Sequence, residues 1–201
     1  MNAHVTTAKK EEIPCLVFIG GFGSGKSYHA VQIMGLIEEM FGISAYKVSL
    51  ATKIKEVAAD VFGMKEKDRR LLQLIGQKFR EIREDVWIDY LTDDIRKNGK
   101  FPFVMDDVRL VREAELLRER FPNLVIVKIE TTEAQRMEIY EKLYGRKPTR
   151  DELNDPTETE ISKIKPDIVI KNDYNQATTE ANIRELLRRA QDGGISTLRR
   201  H

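Results

Sequence analysis

Five consecutive apolar residues, Cys15-Leu16-Val17-Phe18-Ile19, run directly into Gly20-Gly21-Phe22-Gly23-Ser24-Gly25-Lys26-Ser27. An apolar run this short, ending in glycines, suits a strand buried on both faces, as in a parallel sheet. The residues behind it fit G-x-x-x-x-G-K-[ST] at every fixed position. Glycines there let backbone N–H groups curl around the oxygens of an anion with no Cβ in the way. Val31, Met34 and Met40 then lie on a helical stripe, so a helix follows whose partly positive end faces the same anion. Lys26 is suited to neutralising the β- and γ-phosphates of a nucleotide, and the Ser27 hydroxyl to ligating Mg²⁺. The bland reading is a chance match in a glycine-rich turn; the strand before it and the helix after it argue otherwise. Gly21, Gly23, Ser24, Gly25, Lys26, Ser27 and Tyr28 are therefore the candidate ATP contacts.

The strand–helix alternation repeats along the chain. Residues 45–49, 101–105, 124–129 and 167–170 read as further short strands. Between them, Ile54, Val57, Ala58 and Val61, then Leu71, Leu72, Ile75 and Phe79, then Trp87, Leu91 and Ile95 recur at helical spacing. Val111, Ala114 and Leu117 mark another helix, Thr132 and Gln135 a capping box, and Ile183, Leu186 and Leu187 a last helix. Residues 145–164 are polar, with Pro148 and Pro156, and show no element. Five short strands among helices indicate a doubly wound α/β fold around a parallel sheet. Ligands of such sheets sit beyond the carboxyl ends of the strands.

Composition narrows the functional classes. With 34 basic against 33 acidic residues among 201, the chain has no global field for nucleic acid or a membrane surface. Cys15 is the only cysteine, which excludes an intrachain disulfide and a zinc cluster. Residues 1–12 carry no apolar run of signal-peptide length, so a cytoplasmic setting is expected. Residues 13–190 are expected to form a single domain, with 1–12 and 191–201 as tails.

A phosphate loop of this kind needs a carboxylate on its metal, and Asp106-Asp107 stand at the end of an expected strand. Either faces the magnesium site, and the other caps the next helix. Phosphoryl transfer also needs positioned cations more than covalent chemistry. Arg80, Arg83, Arg109, Arg136, Arg146 and Arg150 are the candidates, each weighed against a plain surface role. Arg146 and Arg150 lie in the irregular stretch, which is suited to closing as a lid. His4, His29 and His201 are scattered and read as surface or packing residues. Trp87 reads as core or as a wall of an acceptor pocket.

These pieces, in this order, resemble the phage-type deoxynucleoside monophosphate kinases. Leu71-Leu72-Gln73 with Gly76, Arg80 and Trp87 is similar to their L-L-Q-x-x-G-x-x-x-R…W signature. Asp107-Val108-Arg109 with Glu113 resembles their D-V-R-F-P-N-E motif, and residues 49–56 resemble the segment after their second strand. Asp155-Pro156-Thr157-Glu158 resembles their H-x-[ST]-E element, and residues 170–173 their last-strand end. The resemblance spans about residues 13–187. It implies a three-layer P-loop nucleoside-kinase-like fold with a five-stranded parallel sheet and a short lid over roughly 136–164. It also implies transfer of the ATP γ-phosphate, with Mg²⁺, to a deoxynucleoside monophosphate. Lys26, Asp107, Arg109 and Arg136 would then be catalytic, and Ser27 with Asp107 (or Asp106) would hold the metal. Lys53, Arg80, Trp87, Arg109 and Glu113 would serve the acceptor, Arg136, Arg146 and Arg150 the lid, and Asn172 the base of the triphosphate. A homodimer is allowed.

The sequence departs from that family where Leu110, Val111 and Arg112 replace Phe-Pro-Asn and where Asp155 replaces the histidine. Two other readings stand beside it. One is a kinase for another small acceptor, such as dephospho-coenzyme A. The other is a nucleotide-binding regulator or motor subunit that only hydrolyses ATP, against which the chain shows no basic stripe.

Overall fold

The computed structural model describes residues 10–147 and 156–193. The first apolar run forms β1 (Cys15–Ile19), buried at every position. It is flanked by β3 (Phe103–Met105) and β4 (Leu124–Glu130). Outside these lie β2 (Tyr46–Lys47) and β5 (Ile168–Lys171). The five strands are parallel, in the order β2-β3-β1-β4-β5.

Full burial of β1 follows from cover on both faces. Cys15, Val17 and Ile19 point into a core completed by residues of α2 (Leu50–Phe62), α3 (Arg69–Ile82), α4 (Val86–Lys97) and α5 (Val111–Arg120). Leu16 and Phe18 point the other way, onto α1 (Lys26–Phe41) and α8 (Gln176–Gly193). Period-2 alternation therefore splits one strand between two cores, giving the helix–sheet–helix layering expected from the sequence. Because all strands run the same way, their carboxyl ends gather the phosphate loop, Asp106-Asp107 and the segments after β4 and β5 along one edge.

The structure departs from expectation in places. The second strand is shorter than 45–49, because Ser49 becomes the N-cap of α2, its Oγ accepting from Ala51 N at 3.2 Å. The polar stretch 145–164 contains α7 (Pro156–Lys163), following α6 (Glu133–Tyr144). Ile161 of α7 and Ile164 just beyond it pack on the core, and two apolar residues in a polar run are too few to announce a helix. The expected lid thus begins in α6 and ends just beyond α7; Arg150 and Asp155 lie outside the described residues. No helix among the described residues is long and apolar enough to cross a membrane.

Candidate active site

The loop between β1 and α1 is shaped by its glycines. Gly25 caps α1 with φ 93° and ψ 12°. Gly20 has φ 150°, and a Cβ there would lie 2.5 Å from the Ile129 carbonyl and 2.7 Å from Ser24 Oγ. Lys26 folds back across the turn, its Nζ donating to Gly20 O at 2.6 Å and Gly21 O at 2.9 Å. Ser24 is 1% exposed, and its Oγ has no hydrogen-bond partner. A buried hydroxyl without a partner, inside a turn that excludes Cβ atoms, fits a site meant to be completed by an anion.

Asp106 is the carboxylate that meets Ser27. Burial alone would raise its pKa, but hydrogen bonds from Lys47 and Ser27 and the charges of Lys47 and Lys26 hold it below the usual carboxylate range. Lys47 Nζ lies 2.6 Å from Asp106 Oδ1. An ionised carboxylate beside an exposed serine hydroxyl suits a hard divalent cation that arrives with phosphate oxygens. That fits Mg²⁺, and no cluster of three or more His, Cys, Asp or Glu able to hold a metal by itself exists among the described residues.

Asp107, the expected metal carboxylate, engages a different element. Its Oδ2 accepts from Ser49 Oγ at 2.7 Å and from Ala51 N at 3.0 Å, binding the end of β3 to the start of α2. Burial raises its pKa above the usual range, against those two bonds and with help from the Asp106 and Glu113 charges. Adjacent residues at a strand end project to opposite sides, so Asp106 faces Ser27 and Asp107 the start of α2. Neither caps the next helix, α5, whose N-cap is Leu110 with Glu113 bonding back to it.

Glu113 ties the acceptor-side candidates together. One oxygen takes Arg80 Nη2 at 3.1 Å; the other takes the backbone N–H groups of Arg109 at 3.0 Å and Leu110 at 3.1 Å. The Arg109 side chain is exposed. Trp87 is buried, donates Nε1–H to Gly76 O at 3.0 Å and stacks on Phe79. Trp87, Arg80 and Glu113 wall a cavity of about 440 Å³ with Leu110 and Arg112. Lys53 stands apart from that cavity's lining, bonded to Glu56 at 3.0 Å with its Nζ over the Tyr90 ring.

A larger cavity of about 800 Å³ opens beside the loop, lined by Gly20, Ser24, Thr131, Arg136, Ile161 and Asp173 among others. Arg136 reaches it from α6, lies against Gly23, and keeps a buried Nε without a hydrogen-bond partner. Phe22 packs on Tyr140 of α6, and Arg146 lies over the same Tyr140 ring. Tyr28 is 44% exposed, its ring edge-on to that of the wholly buried His29. Asn172 is 5% exposed and donates to Ser24 O at 2.9 Å, so it braces the loop as well as lining the cavity.

Three residues at this edge were not singled out from the sequence: Lys47, Ser49 and Tyr174. Ser49 precedes a helical stripe, a recognisable capping signal. Lys47 and Tyr174 carry none, since each acts on a residue far along the chain.

No protein-family model matches the chain, and no curated protein matches it. Solved structures share its fold. The APS kinase CysC of Mycobacterium tuberculosis, in complex with AMPPNP and APS, aligns with a TM-score of 0.54 at 15% identity, covering 90% of this chain and 99% of that one. An unliganded sugar kinase from Janibacter sp. HTCC2649 aligns at 0.52 and 17% identity, covering 92% and 98%. A shikimate kinase from Acinetobacter baumannii in complex with shikimate aligns at 0.51 and 15% identity, covering 89% and 93%. At such identities the similarity is one of fold: the five-stranded parallel sheet between layers of helices is shared with these kinases.

Proposed function

We propose that this chain transfers the terminal phosphoryl group of ATP to a deoxynucleoside monophosphate. The observation that carries the reading is the juxtaposition of the glycine cradle, Lys26 and the Ser27–Asp106 pair at one strand edge. In the proposed reaction an oxygen of the acceptor phosphate attacks the γ-phosphorus. The bond to the β–γ bridging oxygen breaks, releasing ADP and leaving a nucleoside diphosphate. Lys26 leaves the Gly20 and Gly21 carbonyls for the phosphate oxygens, and the loop amides hold the tail in line. Ser27 and Asp106, rather than Asp107, would hold Mg²⁺, which when bound neutralises charge on the phosphates.

Arg136, whose backbone and Cβ lie against Gly23 and whose buried Nε has no hydrogen-bond partner, is suited to the charge that develops on the transferred group. Arg109 and Arg80 are assigned to the acceptor phosphate. Glu113 supports this by holding the Arg80 guanidinium and the Arg109 backbone on one carboxylate. The cavity beside Trp87 is the proposed seat of the acceptor base, and the larger cavity that of the donor base. Arg146 and Arg150 remain assigned to the lid, and Lys53 to the acceptor.

The test is ADP release measured over a panel of deoxynucleoside and ribonucleoside monophosphates, dephospho-coenzyme A, APS and shikimate. Turnover fastest with one or more deoxynucleoside monophosphates supports the reading. Preference for another acceptor moves the chain to that substrate class. ATP hydrolysis outpacing every transfer removes the kinase assignment.

A further inference from the structure

Three successive carbonyls of the phosphate loop are held from outside by side chains. Tyr174 Oη donates to Gly23 O at 2.7 Å, and Asn172 Nδ2 donates to Ser24 O at 2.9 Å. His29 Nδ1 lies 3.0 Å from Gly25 O, which also accepts His29 N–H at 3.0 Å. A carbonyl only accepts, so the proton of this neutral imidazole sits on Nδ1. Burial holds the His29 pKa below its usual value, which keeps the ring neutral.

In a planar trans peptide, C=O and the following N–H point in opposite directions. Fixing the Ser24 and Gly25 carbonyls outward therefore turns the N–H groups of Gly25 and Lys26 inward. The Gly23–Ser24 peptide is pinned at both ends, because Ser24 N–H donates to Gly21 O at 3.1 Å. The Asn172 and His29 bonds thus set the direction of two N–H groups that must meet phosphate, and Tyr174 holds rigid the peptide from which they follow.

Two of the three clamping side chains come from the turn after β5, 148 and 151 residues further along the chain. That turn is itself rigidly built. Tyr174 N–H donates to Asn172 Oδ1 at 2.9 Å, and Tyr174 sits at φ 57°, the only non-glycine with positive φ among the described residues. A side chain is held there against its backbone preference, and its hydroxyl reaches the loop. Lys171, Asn172 and Asp173 of the same turn line the larger cavity.

We propose that Tyr174 is a positioning residue for the phosphate loop, and that filling the larger cavity tightens the loop's grip on a triphosphate tail through this turn. The inference rests on the nucleotide reading above.

The experiment titrates the full chain with magnesium tripolyphosphate, alone and with saturating adenosine, for wild type, Tyr174→Phe and Tyr174→Asn. Tyr174→Phe keeps the ring and removes only the hydroxyl. It should bind tripolyphosphate about three- to tenfold more weakly, as expected for one net hydrogen bond, at an unchanged melting temperature. Adenosine should raise the wild-type affinity for tripolyphosphate about fivefold or more, and the Phe variant should lose that gain. Asn is at ease at positive φ, so Tyr174→Asn folds even if the Phe variant is damaged, and it should show the same losses. Wild-type affinity in either folded variant overturns the positioning role, and absence of an adenosine effect in wild type overturns the linkage. Failure of wild type to bind tripolyphosphate at all would instead remove the nucleotide reading.

Discussion

Adding a single methyl group at Gly20 and at Gly35 should move this molecule in opposite directions. At Gly20 the new Cβ would stand 2.5 Å from the Ile129 carbonyl oxygen, at φ 150°, with Ser24 Oγ 2.7 Å away. Ile129 lies near the carboxyl end of β4, an interior strand, and is paired in register with Ile170 and 1% exposed, so its backbone has little freedom to retreat. Backbone strain of about 1–3 kcal/mol and overpacking of about 1–3 kcal/mol combine to about 2–6 kcal/mol against the present loop conformation. The loop escapes by shifting, which scatters its amides; even the lower figure corresponds to about 30-fold weaker MgATP binding. Gly35 is exposed within α1, and a Cβ there meets nothing within 4 Å. Gly35→Ala should therefore stabilise by about 1 kcal/mol, raising the melting temperature by about 2–4 °C. Calorimetric melting and MgATP titration of both variants read the pair. Gly20→Ala binding MgATP like wild type, or Gly35→Ala melting below wild type, would refute the reasoning.

The two adjacent aspartates should answer acid with opposite signs. The folded pKa of Asp106 is lowered, so its contribution is present above the unfolded value of about 4 and is lost as pH falls through the lower folded value. That of Asp107 is raised, so wild type gains relative stability as pH falls through the raised value towards about 4. The melting difference between wild type and Asp106→Asn should shrink in acid, and that for Asp107→Asn should grow; parallel pH courses would contradict the assignments. Ser49→Ala removes a helix cap and should cost about 1 kcal/mol, visible as a lower denaturation midpoint with magnesium affinity retained. Glu113→Gln leaves one side of a three-way junction without an acceptor. It should raise the KM for the acceptor more than that for ATP, and equal changes in both would place the junction elsewhere.

How much of this was legible in the sequence depends on the range of each interaction. The β1–loop–α1 unit reads directly, because every requirement falls within 15–41 and each glycine answers a local steric demand. The parallel sheet and its layering follow from the strand–helix alternation, again a property of short stretches. The strand order β2-β3-β1-β4-β5 depends instead on pairings between distant segments and was not read. Which of Asp106 and Asp107 meets Ser27 was not legible, since neighbouring acids are equivalent in one dimension and opposite in three. Lys47 is bound to a carboxylate 59 positions away, as the difference between 106 and 47 gives, and no local pattern marks such a partner. Tyr174 was hidden for the same reason, and α7 because only Ile161 within it and Ile164 just after it reach the core.

MgATP binding by Lys26→Ala, compared with wild type in an equilibrium titration, tests the account at its root. Losing charge-assisted bonds to the phosphates should weaken binding about tenfold to hundredfold while the melting temperature without ligand stays near that of wild type. Equal affinity in the two proteins would mean that the triphosphate, if held at all, is held somewhere other than the turn between β1 and α1.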